Sequence, residues 1–395
     1  MDFRFSREDE AFRQEVREFV TTEWDARGYD PVGASIASYD LHTHEAIDLV
    51  KEWQLKLADK GWWTLHWPRE FGGQGAPISR QLIYREEMAY WGAPSSGASD
   101  LVGPVLMYHG NEWHRDELLP HYATAEIEFC RLLSEPGAGS DLASVQTRAV
   151  EDGDDFIVSG QKIWTSMAEM ADYGQALVRT DPGAAKHRGL TYLIIDMKSP
   201  GIVLRPLHDM LGRRRWSEVF MDEVRVPKRN MVGELNRGWY ATMTHLSFER
   251  SNIGGPARML RTVEEFIDHA RGARVNGQPL LDDVRARHIL ADFRLQIEVA
   301  RMISYRVAWM QTRGEIPVKE SSQTKLWGDA LHQGIYRGIA SILQDYGQLR
   351  PEDAWAPAGR FMGVNSILAT GLSIGGGTRE VQRNIIAQRA LGLPR

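Results

Sequence analysis

Between Ser6 and Val20 the apolar residues Phe12, Val16, Phe19 and Val20 fall at helical spacing, and Ser6 is placed to cap the first turn. The stretch His44–Lys60 repeats the pattern, with Ile47, Val50, Leu55 and Leu57 among Lys and Glu, and Gly61 closes it. GWWTLHWPREFGGQGAP follows, too rich in Trp, Gly and Pro for regular helix. Its Trp cluster either packs the loop or lines a ligand. Helical spacing returns over Ser79–Trp91, Leu101–His109 and Glu112–Tyr122, so the chain to about Ala125 reads as all-α.

The pattern then changes. Phe156–Ser159, Ala176–Arg179, Leu190–Ile195, Ile202–Leu207 and Glu218–Val226 are short alternating or β-branched runs separated by Gly, Pro and Asp. That spacing describes a compact β domain rather than βαβ units. No GxGxxG opens a helix after a strand, and no Walker-type GK[ST] is present. From Gly238 onward Trp239–Glu249, Pro256–Arg271, Leu281–Arg313, Ser321–Tyr346 and Phe361–Leu372 are long periodic segments, as in an antiparallel bundle. The pattern predicts a mainly α chain with a central β domain: helical over residues 1–125, β over 126–235 and a helical bundle over 236–395.

Composition narrows the function without naming it. A chain of 395 residues exceeds a single hydrophobic core, and 43% hydrophobic with 25% charged residues is ordinary for a soluble protein. A net charge of -6 argues against nucleic acid as a partner. The single cysteine, Cys130, rules out an intrachain disulfide framework and reads as a buried, inert thiol. The charged N-terminus MDFRFSREDE does not read as a secretory signal, and no apolar run has the length of a membrane span, so a cytoplasmic location is expected.

Candidate chemistry is confined to a few places. HExxH, CxxC and GxSxG are absent, and His42 and His44 lie in a polar segment, so no metal site or nucleophile elbow is expected. In SEPGAGSD (Ser134–Asp141), Gly137 and Gly139 allow close backbone approach to a flat or anionic ligand, with hydroxyls on Ser134 and Ser140. The same letters also fit a plain tight turn. In KIWTS, Trp164 either stacks on an aromatic ligand beside the Thr165 and Ser166 hydroxyls or ends a strand in the core. GGGT (Gly375–Thr378) is a close-approach loop or a helix-to-helix turn. Glu249 and Arg250, adjacent in LSFERSNIGG, would by themselves be a solvated helix face.

Taken in order, WPREFGGQG, SEPGAGSD, KIWTS, LGRRRWSEVFMDEVRVP and GGGTREVQRNIIAQRALGLPR resemble the acyl-CoA dehydrogenase family along essentially the whole chain. The resemblance implies an α domain, a β-barrel-like middle domain and a C-terminal four-helix bundle, with FAD as cofactor. It implies an acyl-CoA substrate oxidised to the trans-2-enoyl-CoA, and an electron-transferring flavoprotein as acceptor. Leu133, Ser134, Gly139 and Ser140 would lie along the flavin, Trp164 on its ring, Ser166 near N5 with Thr165 also binding the cofactor, and Thr378 and Glu380 at the ribityl and pyrophosphate portion. Ser140, Ser247, Arg250 and Gly376 match positions near the acyl-CoA. Many members carry the catalytic Glu directly before the loop Gly-Thr; here that position is Gly376, and the alternative helix position of the isovaleryl- and long-chain type is filled by Glu249.

One departure bears on assembly. A neighbouring subunit of the family clamps the flavin with an Arg-x-Thr-Phe-Gly-like segment, a Gln and a Gln-x-x-Gly-Gly loop. Here those positions read Ala273-Arg274-Val275-Asn276-Gly277, Val284 and Gln344–Pro351, with Arg271 or Arg274 as partial substitutes. The expectation is a hetero-oligomer with a homologous partner, α2β2, rather than a homotetramer. A non-catalytic acyl-CoA-binding homologue and an acyl-CoA oxidase are the alternatives.

Overall fold

The computed structural model describes residues 4–24, 43–95, 99–210, 212–249, 254–349, 353–356 and 363–394. Among the described residues five α-helices come first: α1 (Arg7–Glu23), α2 (His44–Asp59), α3 (Ile78–Tyr90), α4 (Ser99–His109) and α5 (Leu119–Ala123). Eight strands follow: β1 (Phe129–Leu132), β2 (Arg148–Asp152), β3 (Asp155–Thr165), β4 (Tyr173–Arg179), β5 (Leu190–Asp196), β6 (Ile202–His208), β7 (Arg214–Pro227) and β8 (Met231–Val232). After α6 (Gly238–Glu249) and α7 (Gly255–Gly272), a hairpin of β9 (Arg274–Val275) and β10 (Gln278–Pro279) leads to α8 (Val284–Thr312). The chain continues through α9 (Val318–Leu343), α10 (Gly363–Leu372) and α11 (Arg379–Ile385). Among the described residues no helix is long and apolar enough to cross a membrane.

Contacts divide the chain into two compact units, one of residues 1–34, 77–95 and 250–395, the other of residues 35–76 and 96–249. The first helical region is shared between them: α1 and α3 belong with the C-terminal helices, while α2, α4 and α5 belong with the sheet.

In the helical unit the predicted periodicity becomes packing. Met259, Val263, Phe266 and Ala270 recur every three or four residues along α7, and so share one face. They meet Leu290, Phe293 and Ile297 of α8 and Leu331, Ile335 and Ile339 of α9 in one core. At the N-terminus the Ser6 hydroxyl accepts from the Asp9 amide at 3.0 Å, the expected cap. Helix α8 begins later than its apolar pattern, because Asp283 caps it by accepting from the Arg285 amide at 2.8 Å while Leu280–Asp282 form a tight turn.

In the other unit the strand order is β6-β7-β3-β2-β4-β5-β8, with β1 running parallel beside β4. Strands β1, β2 and the two-residue β8 add to the five expected from the sequence. Only four residues long and largely buried, β1 shows no alternation to read. Trp63 and Trp67 are buried, each with its ring centroid 5.6 Å from Tyr122, so these two pack the loop. Gly103 lets α4 lie against this cluster, since a Cβ there would come within 2.3 Å of the Trp67 ring.

Candidate functional site

Two of the singled-out segments are tied together by the backbone. The Ser134 carbonyl accepts from the Ile163 amide at 2.9 Å, joining the loop after β1 to the end of β3. Glu135 and Ala138 exchange amide and carbonyl bonds of 3.0 Å each, so Pro136 and Gly137 form the tip of a tight turn. Gly137, Gly139 and Ser140 are exposed, and a Cβ at either glycine would meet nothing within 4 Å. No internal packing demands glycine there, so the bare backbone is open to a ligand from outside.

Beneath the loop is a buried ion pair. Lys162 is fully buried and donates to Leu133 O at 3.1 Å, Leu177 O at 2.7 Å and Glu135 Oε1 at 2.8 Å. Glu135 also accepts from the amides of Gln146 at 2.6 Å and Thr147 at 2.9 Å. Burial pushes the Lys162 ammonium down to about 8 against the pull of Glu135. Burial raises the Glu135 carboxyl, but Lys162 and the donors around it outweigh that and hold it below the usual range. Arg179 anchors the next stretch through Ala143 O at 2.7 Å and Val145 O at 3.3 Å. Sequence reasoning assigned none of these three residues a role. Lys162 and Glu135 sit inside KIWTS and SEPGAGSD, but the polar neighbours of Lys162 and the loop setting of Glu135 give no sign that either is buried.

The end of β3 is distorted. Its register with β7 shifts between Lys162 and Thr165, and Trp164 takes φ +61°, the left-handed region that side chains avoid. The bulge turns Trp164 outward, 58% exposed, with Trp216 edge-on at 5.8 Å. The core-strand alternative for Trp164 is therefore wrong, because the left-handed residue reverses the direction its side chain would take in a regular strand. Thr165 is buried, and its hydroxyl has no hydrogen-bond partner. Ser166 is half-buried in the following turn. An exposed indole, an unsatisfied hydroxyl and an open glycine loop suit a flat heteroaromatic ligand, and FAD fits that description. Trp164→Gly should raise the thermal midpoint of the ligand-free chain, relieving about 1 kcal/mol of strain. It should also weaken FAD binding about tenfold through lost stacking. Thermal scans with and without FAD check this, and a drop in both would make Trp164 a packing residue.

The C-terminal loop lies in the helical unit. Gly376 has φ +66° and Gly377 φ +92°, so a carboxylate-bearing residue at position 376 would be strained. Thr378 caps α11, accepting from the Val381 amide at 3.3 Å. Gln382 Nε2 donates to the carbonyls of Gly376 and Gly377, both at 3.3 Å, and Arg379 donates to Gln333 of α9 at 2.5 Å. Glu380 is exposed, and its own backbone amide and the Thr378 hydroxyl hold its carboxyl below the usual range. The backbone of α6 reaches Glu249, but Arg250 and the side chains of Ser247 and Glu249 lie outside the described residues.

The stretch expected to replace the flavin clamp is the β9–β10 hairpin, turned at Asn276 (φ +51°) and Gly277 (φ +81°), the pair that such tight turns favour. Arg274 is bonded back to Gly277 O at 2.9 Å, and Arg271 pairs with Asp268 at 2.6 Å. The hairpin, Leu280, Asp282, Asp283 and Gln344 line a cavity of about 390 Å³ whose charged lining is acidic. Burial pushes the Cys130 thiol well up, which suits the inert role expected of it. Among the described residues no group of three or more His, Cys, Asp or Glu could hold a metal ion.

Three family models match the chain in order. They are the acyl-CoA dehydrogenase N-terminal domain at residues 6–126, its middle domain at 130–224 and its C-terminal domain at 236–391. Acyl-CoA dehydrogenase FadE26 of Mycobacterium tuberculosis is 34% identical over 407 residues, covering 100% of this chain and 99% of the relative. Among solved structures, the Tcur3481-Tcur3483 steroid ACAD matches with a TM-score of 0.87 and 33% identity, covering 100% of both chains. The ChsE4-ChsE5 complex from Mycobacterium tuberculosis matches with a TM-score of 0.86 and 33% identity, again over 100% of both chains.

Proposed function

The chain belongs to the acyl-CoA dehydrogenase family, whose members depend on FAD, and on that premise we propose that it oxidises an acyl-CoA thioester to the trans-2-enoyl-CoA with Glu249 as the base. The observation that carries the reading is the left-handed, exposed Trp164 beside the unpartnered Thr165 hydroxyl, on a strand end that the Ile163 amide ties to Ser134 O of the SEPGAGSD loop. When bound, FAD supplies the two-electron oxidant. Trp164, the hydroxyls of Thr165 and Ser166 and the Leu133–Ser140 backbone, where the glycines leave room, would hold its ring. Glu249 removes the α-proton, a task for which a desolvated carboxylate is suited because its pKa rises toward that of the activated carbon acid. Gly376 supports this assignment, since the loop position that holds the base in other members has no side chain here. Ser140, Ser247 and Arg250 would order the thioester end of the substrate, and Thr378 and Glu380 would hold the ribityl and pyrophosphate portion of the cofactor. An electron-transferring flavoprotein would accept the electrons.

We propose further that the enzyme is a hetero-oligomer, α2β2, with a homologous chain. The acidic cavity behind the β9–β10 hairpin supports this, because a pyrophosphate needs cations and meets Asp282 and Asp283. The two solved relatives named above are a two-name steroid ACAD and a ChsE4-ChsE5 complex, which favours a bulky, steroid-type acyl group. The test is anaerobic bleaching of the flavin by acyl-CoAs ranging from short branched to steroid thioesters. Bleaching by none of them would overturn the activity.

A further inference from the structure

We infer that the buried Lys162–Glu135 pair is a positioning device for the cofactor, an inference that rests on the reading of the loop and Trp164 as the flavin's seat. Lys162 leaves β3 two residues before Trp164, and its three acceptors leave no ammonium proton unsatisfied. Two of the three, Leu133 O and the Glu135 carboxylate, belong to the beginning of the loop. Glu135 then holds the loop's far end, since the Gln146 and Thr147 amides it accepts from directly precede β2. One carboxylate therefore fixes both ends of the segment 133–147 to the strand that carries Trp164, while Pro136, Gly137, Gly139, Ser140 and Asp141 between them stay exposed.

Such a pair adds position more than stability. Apolar groups of similar volume often replace a buried ion pair at no net cost, so its retention under an open loop needs another reason. Holding the loop backbone against the strand end that carries Trp164 provides one, because an ordered site binds without first having to order itself.

The full-length double variant Lys162→Met/Glu135→Gln, which leaves no buried charge unpaired, separates the two roles. Its ligand-free thermal midpoint should stay within about 3 °C of wild type. Amides of residues 133–147 should exchange with solvent at least about tenfold faster, and the FAD dissociation constant should rise at least about tenfold. The visible circular dichroism of bound flavin should change as well. A lowered midpoint with unchanged loop exchange and unchanged FAD affinity overturns the inference. If the double variant does not fold, Glu135→Gln decides by the same exchange and affinity measurements. A wild type that takes up no FAD, alone or with a partner chain, overturns the proposed function and this inference together. A wild type that binds FAD no better than the double variant overturns this inference alone.

Discussion

Glu249→Gln lowers the rate at which an acyl-CoA bleaches the flavin by about 10³-fold, the scale of a lost general base. Gln matches Glu in size and keeps a hydrogen-bonding end, so the substrate still binds and FAD content is unchanged; only the proton acceptor is gone. The measurement is anaerobic stopped-flow at the flavin's visible band, with wild type and variant at equal flavin occupancy. A second variant sharpens the result. Gly376→Glu restores a carboxylate to the loop but places it at φ +66°, where a side chain is strained, so it should recover little of the rate. Full-speed bleaching by Glu249→Gln would remove Glu249 from the mechanism and leave the rest of the site in need of another base.

The full chain purified alone should hold well under one FAD per subunit, rising to about one per heterodimer when a homologous chain is co-expressed. The reason lies in charge. In a homotetramer the clamp on one subunit's cofactor would come from its neighbour's residues 273–284 and the start of the 344–351 loop. Here that surface offers Asp282 and Asp283, while Arg274 is turned back on its own hairpin and Arg271 is paired with Asp268. Asp283 is also committed to capping α8. Flavin absorbance against protein concentration after gel filtration measures the stoichiometry directly. A fully yellow chain with one FAD per subunit in the absence of any partner would sink the hetero-oligomer.

Much of the helical architecture was legible because it rests on period and punctuation. Ser6 and Gly61 bounded α1 and α2 as expected, and the apolar stripe of α7 is the face that meets α8 and α9. Short elements without alternation were not legible: β1 has four residues, mostly buried, and β2 has five. Of the site, the segments themselves could be picked out by their glycines, hydroxyls and Trp, but not the way they are held. Whether Trp164 points in or out depends on one backbone angle, and a sequence does not show which residue of a strand is forced into the left-handed region. Lys162 and Glu135 were hidden for a related reason. A lysine reads as a solvated end of a strand until the acceptors that satisfy it, drawn from the loop after β1 and from β4, are brought around it. The Asn276-Gly277 pair was the opposite case, a strong turn signal within the stretch read only for what it lacked.

The lone thiol of Cys130 lies in β1 opposite Gly174 of β4, at 1% exposure. A thiol-reactive dye cannot reach it while that pairing holds, and no second cysteine competes for the label. The rate of dye attachment is therefore a clock for the parting from β4 of β1, the strand after which the Leu133 loop begins.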